Sequence, residues 1–244
     1  MILAVDVGNT RIKAAVYEDN NIIEAFVFDN AALTENLELI FKKYPKLQQM
    51  VAASVANADQ DTFLAFADRM QVSYITHQSA FPFSNKYETP TTLGIDRMVL
   101  AAAAVLKFPA TNRLIIDAGT CITYDFVDEN DSYHGGAISP GLKMRYESMH
   151  NYTARLPLLN IQEHDGLIGG STATSMHSGV VNGTAYEVDG FINQYKEMFP
   201  NIIIILTGGD GVFLAKRLKN TIFANSNFLL EGLVQTFQYK SQND

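Results

Sequence analysis

The sequence predicts a mixed α/β protein made of two halves with similar architecture. Short apolar runs rich in β-branched residues alternate with stretches of helical period along the whole chain. A phrase of strand, Asp, glycine turn and second strand occurs at 5–19, "VDVGNTRIKAAVYED", and again at 115–129, "IIDAGTCITYDFVDE". The polar turns "EDNN" and "DENDS" follow the second strand of each phrase. Because adjacent strands joined by such turns form hairpins, each half is expected to open with a hairpin.

The elements repeat in one order in both halves, namely strand, glycine turn, strand, polar turn, strand and then helices. Strand character is found in runs that are short, apolar and bounded by turn residues: 2–7, 12–17, 22–28, 50–55, 72–76, 113–117, 121–127, 136–139 and 202–206. Helical character is found at 33–43, 60–70, 96–107, 142–154, 172–198, 211–218 and 228–239. The Pro-containing loop "FPATNR" at 108–113 is the expected boundary between the halves.

Composition excludes several classes of protein. The 244 residues of 27.0 kDa allow one large domain or two small ones, and the net charge of −8 is the opposite of a nucleic-acid footprint. The apolar stretches at 98–106 and 202–206 are far shorter than the ~20 residues of a membrane span. The single Cys121 suits a reducing compartment. We therefore expect a cytoplasmic protein with neither nucleic-acid nor membrane partners.

The first phrase has the chemistry of a phosphate-binding turn. Asp6 ends a buried strand, where ligands commonly bind in α/β proteins, and Gly8 permits a tight turn close to a ligand. Residues 9–10 add amides and short polar side chains, and Arg11 and Lys13 share one strand face. Asp6 would hold a hydrated Mg²⁺ together with phosphate oxygens. The alternative is a plain hairpin whose Asp caps its own turn.

The second phrase repeats this chemistry and favours the functional interpretation. Asp117, Gly119 and Thr120 stand in the same order, and Thr123 and Asp125 share a face of the following strand. Two carboxylate–glycine turns facing each other across a cleft would form a two-sided phosphate clamp.

A third glycine cluster, "TGGDG" at 207–211, follows an apolar strand and precedes a helix. Its small residues would let an adenine ring or a ribose lie against the backbone. The cluster is a near match to the dinucleotide fingerprint GxGxxG, but Leu214 replaces the last glycine. This departure argues against a Rossmann fold.

The segment Gly94–Arg97 opens an Ala-rich helix. The helix dipole favours an ionised carboxylate at Asp96, so the residue is interpretable either as an acidic helix cap or as a functional group. Arg97 beside it, with the aromatic Tyr87 and threonines nearby, fits a substrate that carries a hydroxyl and a carboxylate.

In this order the phrases resemble the superfamily of sugar kinases, actin and heat-shock chaperones. The segment "KYETPTTLGIDRMVLAAAA" at 86–104 is similar to the GxDR region of type III pantothenate kinases, and the similarity continues through "DAGTCITYD", "GGAISPGL", "GGSTATSMHSGVVNG" and "LTGGDG". It covers nearly the whole chain, with Cys121 standing where Ala is common and Ser171 where Asn is frequent. The resemblance implies two duplicated actin- or ribonuclease-H-like domains, 1–110 and 111–244. Each would have a mixed sheet flanked by helices, with an ATP cleft between the domains.

The resemblance also implies a reaction, the ATP-dependent phosphorylation of pantothenate that begins coenzyme A biosynthesis. Asp96 would be the general base for the primary hydroxyl of pantothenate, and Arg97 would orient this substrate. The implied substrate-binding residues are Tyr87, Gly94, Ile95, Asp96, Arg97 and Thr172. Two alternatives stay open: a kinase for another small hydroxy acid or sugar, and a non-catalytic regulatory protein of the same fold.

The implied cofactors are ATP, Mg²⁺ and a monovalent cation, K⁺ or NH₄⁺. Asp117 would bind the monovalent cation. The two aspartates of the repeated phrases would then bind different ions, and Asp117 would not share the Mg²⁺ role of Asp6. The implied ATP-binding residues are Asp6, Val7, Gly8, Asn9, Thr10, Arg11, Ile12, Lys13 and Thr120. The implied assembly is a homodimer with the substrate site near the subunit interface.

Overall fold

The computed structural model describes residues 1–8, 11–54, 63 and 65–243, which group by their contacts into two units. The first unit is Met1–Pro109 with Asp131–Tyr133 and Asn227–Asp244, and the second is Ala110–Asn130 with His134–Ser226. The C-terminal segment therefore groups with the N-terminal part of the chain, although the sequence division assigns it to the second half.

The strands are named in chain order. They are β1 (Ile2–Val7), β2 (Ile12–Glu18), β3 (Asn21–Phe28), β4 (Gln49–Ser54), β5 (Gln71–Tyr74), β6 (Ser84–Asn85), β7 (Arg113–Ala118), β8 (Cys121–Val127), β9 (Ser132–Pro140), β10 (Ile203–Thr207) and β11 (Phe223–Ala224). The helices are α1 (Leu33–Lys43), α2 (Ile95–Lys107), α3 (Leu142–Asn151), α4 (Thr172–His177), α5 (Gly183–Met198), α6 (Gly211–Ala215) and α7 (Phe228–Asn243). Short 3₁₀ turns lie at Asn30–Ala32 and Pro90–Thr92.

The two sheets share an arrangement of five strands, and the second sheet has β6 as a sixth. The first has the order β3-β2-β1-β4-β5, with β1 antiparallel to β2 and parallel to β4. The second has the order β11-β10-β7-β8-β9-β6, with β7 antiparallel to β8 and parallel to β10. Position by position, β7, β8 and β10 correspond to β1, β2 and β4. The duplication that the sequence indicates is therefore present in the strand order.

Burial explains why these segments are strands. The centre of β1, Leu3 to Val5, is completely buried, as is the run Leu114 to Ile116 in β7. Continuous apolar runs of this kind are typical of central strands covered on both faces. The edge strand β3 instead alternates between exposed and half-buried residues, as expected for a strand with one solvated face.

Helix packing in the first unit positions the start of α2. Helix α2 is buried on all sides from Arg97 to Val105, and it packs against α7. The approach is close at Gly232, where a Cβ atom would lie 2.9 Å from the Cβ of Ala103 and 3.0 Å from Cγ1 of Val99. This helix pair joins the C-terminal segment to the first unit.

Several helix predictions differ from the structure. The stretch 172–198 is divided by a π-helical turn at Ser178–Asn182, the stretch 142–154 ends at residue 151, and the stretch 211–218 ends at residue 215. The stretch 60–70 lies partly outside the described residues. No helix within the described ranges is long and apolar enough to span a membrane.

Candidate active site

The first glycine turn joins β1 to β2 and carries Asp6. This residue is 8% exposed and lies opposite Lys13 in the antiparallel pairing. The amide of Gly8 donates to the carbonyl oxygen of Arg11 at 3.2 Å, and Asn30 Nδ2 donates to the carbonyl oxygen of Gly8 at 3.3 Å. Sequence reasoning missed Asn30, which contacts the turn from outside the phrase.

The other predicted members of this turn lie as their strand positions suggest. Val7 and Ile12 are buried, whereas Arg11 is exposed and Lys13 is partly exposed. The basic side chains are thus accessible to a ligand while the apolar ones anchor the hairpin. Asn9 and Thr10, also predicted to bind ATP, lie outside the described residues.

The second glycine turn has equivalent geometry. Asp117 occupies the fifth position of its strand, as Asp6 does in β1, and lies opposite Thr123 across the hairpin. The amide of Gly119 donates to the carbonyl oxygen of Cys121 at 2.9 Å and closes the turn. Thr120 is exposed at its tip. A ligand can therefore reach this threonine.

Asp117 also borders the third glycine cluster, because it pairs with Thr207 in the parallel strand β10. Gly208 has a φ of +95°, and a Cβ there would lie 2.2 Å from the carbonyl oxygen of Ala118 and 2.5 Å from Oδ1 of Asp117. A Cβ there would clash with both of these oxygen atoms, so glycine is needed at this position. The donor set of carboxylate and carbonyl oxygens suits a hard cation.

A small cavity lies at the same end of β10. Its volume is about 230 Å³, and it is lined by Leu206, Thr207, Gly208, Gly211, Val212, Ala224, Asn225 and Ser226. The cavity coincides with the cluster for which the sequence predicts an adenine or a ribose.

Asp96 lies in the first turn of α2, and one of its oxygens is anchored there. Oδ1 accepts a hydrogen bond from the backbone amide of Arg97 at 2.8 Å, while Oδ2 accepts none from the described residues. A Cβ at Gly94 would lie 2.2 Å from Oδ1, so a side chain there would displace the carboxylate from this position. Asp96 therefore combines a hydrogen bond to the backbone of the first turn with an oxygen that can take a proton.

Arg97 and Tyr87 are in contact beside this carboxylate. Arg97 is 6% exposed, and its guanidinium carbon lies 5.7 Å from the centre of the Tyr87 ring. The backbone amide of Tyr87 donates to Oδ1 of Asn85 at 2.9 Å, and its ring lies 6.2 Å from the ring of the fully buried Tyr133. Tyr133 is distant in sequence from this segment, so no local pattern indicated its part in the site.

His77 supports the same segment from an earlier loop. Its Nε2 lies 2.8 Å from the carbonyl oxygen of Leu93, the residue before Gly94. The five histidines show no metal-binding spacing, so the sequence offered no reason to single out this one. His77 therefore helps to fix the backbone just before the start of α2.

Thr172, the remaining predicted substrate contact, belongs to the second unit and is the exposed first residue of α4. Ser171 caps this helix by accepting from the amide of Thr174, whose hydroxyl lies 2.9 Å from the amide of Ser171. The first unit thus contains Tyr87 and the Gly94–Arg97 segment. The second contains Thr172, together with Asp117 and Thr120.

The carboxylates of Asp6 and Asp117 could bind a cation only together with oxygen atoms from a ligand. In the part of the chain that the structure describes, no three His, Cys, Asp or Glu side chains converge to form a complete metal cage. Mg²⁺ in phosphate-binding sites is held by one or two carboxylates plus phosphate oxygens, so such an ion needs no complete cage of protein ligands.

Similarity to known proteins identifies the family. A family model described as type III pantothenate kinase matches residues 2–194. The type III pantothenate kinase of Flavobacterium johnsoniae is 63% identical over 244 residues, which are 100% of both chains. The chain belongs to the type III pantothenate kinase family.

Solved structures agree with this family in fold. A conserved Campylobacter jejuni protein assigned to the Baf family of transcriptional activators aligns with a TM-score of 0.66 at 21% identity, covering 98% of this chain and 99% of that one. The ROK hexokinase of Thermus thermophilus aligns with a TM-score of 0.55 at 12% identity, covering 100% and 99%. These likenesses confirm the predicted α/β fold of the actin and sugar-kinase type.

Proposed function

We propose that the chain transfers the γ-phosphate of ATP to the primary hydroxyl of pantothenate, which gives 4'-phosphopantothenate and ADP at the start of coenzyme A biosynthesis. Full-length similarity to type III pantothenate kinases supports this proposal. The structural observation that carries it is the Gly94–Arg97 turn, where Asp96 is anchored through one carboxylate oxygen beside a buried arginine.

Asp96 acts as the general base in this reaction. The hydroxyl oxygen of pantothenate attacks the γ-phosphorus, its proton passes to the Asp96 carboxylate, and the bond to the bridging oxygen breaks so that ADP leaves with the electron pair. Such transfers depend mainly on alignment and on neutralisation of the phosphate charge. The hydrogen bond from the Arg97 amide to Oδ1 fixes the direction of the carboxylate.

Recognition of the acceptor falls to the residues around Asp96. Arg97 pairs with the carboxylate of pantothenate, because a guanidinium offers two parallel donors to such a group. Tyr87 holds the guanidinium by its ring and lines the pocket. Gly94 and Ile95 supply the backbone of the turn, and Thr172 contributes a hydroxyl.

ATP is bound by the two glycine turns in this proposal. Residues 6–13 contact the phosphates from the first turn, with Arg11 and Lys13 as cations, and Thr120 contacts them from the second. Asp6 would hold Mg²⁺, which would neutralise phosphate charge when bound with the nucleotide. Asp117 would hold K⁺ or NH₄⁺.

We further propose that 1–110 and 111–244 are the duplicated actin-like domains and that the protein is a homodimer with its substrate site near the interface. The second unit exposes large apolar side chains that a partner copy would cover. They include Tyr152 at 88%, Leu167 at 68% and Ile168 at 89% exposure. Light scattering of the purified protein tests the dimer directly, and a monomeric mass would contradict it.

A coupled assay of ADP release tests the reaction itself. The protein is incubated with ATP, Mg²⁺ and K⁺ together with pantothenate or with a panel of other hydroxy acids and sugars. We expect pantothenate-dependent release of ADP. Turnover of another acceptor alone would identify a different kinase. No turnover by well-folded protein would favour a regulatory role for this fold.

A further inference from the structure

Three polar side chains of the second unit donate hydrogen bonds to the carboxylate of Glu187 on α5. Oε1 accepts hydrogen bonds from Ser139 Oγ at 2.6 Å and from Tyr124 Oη at 3.0 Å. Oε2 accepts from Arg145 Nη2 at 2.6 Å. Glu187 thereby connects β8, β9 and α3, yet none of these residues belongs to the site described above.

The contacts are stronger than those of an ordinary surface ion pair. The side chains of Arg145 and Glu187 are only 22% and 26% exposed, so solvent screens their attraction less than at an exposed pair. Burial by itself raises the pKa of Glu187, but the hydrogen bonds from Ser139, Arg145 and Tyr124 outweigh it and hold that pKa below its ordinary value. The ionised carboxylate is therefore the form that the folded protein favours.

Glu187 holds the end of β9 through two sets of hydrogen bonds. It bonds directly to the side chain of Ser139, and it orients Arg145, whose Nε donates to the carbonyl oxygen of Pro140 at 2.8 Å. The planar guanidinium donates from Nε to one partner and from Nη2 to the other, a fixed pair of donors that a flexible lysine ammonium does not reproduce. The backbone between β9 and α3 is thus fixed to α5.

The Pro140–Gly141 backbone in turn contacts the turn at 119–120 between β7 and β8, which we call the Thr120 loop. The amide of Gly141 donates to the carbonyl oxygen of Thr120 at 3.1 Å. A Cβ at Gly141 would lie 2.1 Å from the carbonyl oxygen of Gly119 and 2.6 Å from that of Thr120, so the two segments are in close contact. A shift of the Pro140–Gly141 backbone must therefore move the Thr120 loop or break its hydrogen bond.

We propose that Glu187 is a positioning residue for ATP: together with Arg145 it holds the Ser139–Gly141 segment against the Thr120 loop and so fixes where Thr120 meets the nucleotide phosphates. The inference rests on the proposed function, in which Thr120 contacts ATP. Glu187 itself touches neither substrate in this account. Its loss should weaken ATP binding and leave pantothenate binding unaffected.

Steady-state kinetics of Glu187→Gln tests this split. We expect the KM for ATP to rise about tenfold and the KM for pantothenate to stay within about twofold, because only the phosphate loop loses its support. Arg145→Lys, which keeps the charge and loses the planar donor pair, should shift the KM for ATP in the same direction by a smaller factor. This milder variant provides the test if Glu187→Gln does not fold.

The matched control is Lys143→Gln, which lies on α3 with Arg145. Lys143 pairs with Glu147 at 3.5 Å, and the two side chains are 68% and 44% exposed and lie outside the Glu187 cluster. Both KM values should remain within about twofold of the wild type, as is usual for an exposed pair. A rise in the KM for ATP as large as that of Glu187→Gln would overturn the inference.

Calorimetric titration with a non-hydrolysable ATP analogue and Mg²⁺ separates this inference from the proposed function. Glu187→Gln should weaken analogue binding about tenfold even if no acceptor is ever turned over. An unchanged dissociation constant would overturn the positioning role, and so would equal rises in the KM values for both substrates. If the wild type did not bind the analogue, the positioning role of Glu187 would also be overturned. Loss of pantothenate turnover alone would count only against the proposed function.

Discussion

The guanidinium of Arg97 lies 5.7 Å from the centre of the Tyr87 ring, and Arg97 directly follows Asp96 in the first turn of α2. One ring therefore helps to hold the cation proposed to meet the acceptor's carboxylate, while the preceding residue carries the proposed base. In the proposed mechanism, orientation of the acceptor and proton transfer would therefore depend on two neighbouring residues of one helix.

Replacing Tyr87 tests the importance of this ring contact. Tyr87→Leu should raise the KM for pantothenate roughly fivefold, because a cation–π contact of a partly desolvated Arg is worth about 1 kcal/mol. Tyr87→Phe keeps the ring and should remain within about twofold of the wild type if the contact is aromatic. The KM for ATP should not change in either variant. If Tyr87→Leu and Tyr87→Phe raised the KM for pantothenate equally, the tyrosine hydroxyl and not the ring contact would be responsible.

Gly208 is predicted to be irreplaceable beside Asp117. Gly208→Ala should lower the free energy of unfolding by about 1–3 kcal/mol, because its positive φ is strained for alanine and the new Cβ has no space. The same change should weaken activation by K⁺. Thermal unfolding and a K⁺ titration of activity measure the two effects.

Gly209→Ala is the matched control, since a Cβ there meets no atom within 4 Å. It should behave as the wild type in both measurements. If both variants were equally stable and equally activated by K⁺, the close approach at Gly208 would have no functional meaning.

A second pair of glycines tests the packing that supports α2. Gly232→Ala should lower the free energy of unfolding by about 1–3 kcal/mol, because the new Cβ would press on Ala103 and Val99. Gly190→Ala, on the open side of α5, should instead stabilise by up to about 1 kcal/mol through helix propensity. Urea unfolding of both variants gives the two values. Stabilisation by Gly232→Ala would show that α2 and α7 pack less closely.

Glu187 should make stability depend on acid pH. Its folded pKa is lowered from an ordinary value of 4.5 chiefly by hydrogen bonds that outweigh burial, so its contribution is present above that value. The contribution is lost as the pH falls through the folded pKa. The difference in unfolding free energy between the wild type and Glu187→Gln should therefore be constant from about pH 6 to 8 and shrink below about pH 4.5.

Unfolding in urea at a series of pH values measures this difference. Glu147→Gln, in the exposed pair with Lys143, serves as the control and should show a small difference throughout. A Glu187→Gln difference that grew as the pH fell would contradict the lowered pKa.

Local features of the fold were predictable from the sequence. The hairpin turn after β2 contains Asp19 and Asn20 with φ of 49° and 64°, and Asp131 in the turn before β9 has a φ of 58°. Asp and Asn tolerate this conformation, so the polar turns mark these hairpins in the sequence. Asp6 and Asp117 were found in the same way, because each stands at a fixed place before a glycine.

Features that depend on distant contacts were not predictable. The strands Ser84–Asn85 and Phe223–Ala224 have two residues each, too few to show a period. The contact of α7 with α2 depends on a gap at Gly232 that only the folded helices reveal. The partners of Glu187 lie 42 to 63 residues away from it, so no spacing pattern joins them.

The most direct test of the central claim is the rate of pantothenate-dependent ADP release by Asp96→Asn beside the wild type. Asparagine keeps the oxygen that accepts from the Arg97 amide but cannot take the proton, so we expect kcat to fall by about 10²- to 10⁴-fold with ATP binding retained. Thermal unfolding verifies that the variant is folded. Full activity of folded Asp96→Asn would contradict the assignment of Asp96 as the base.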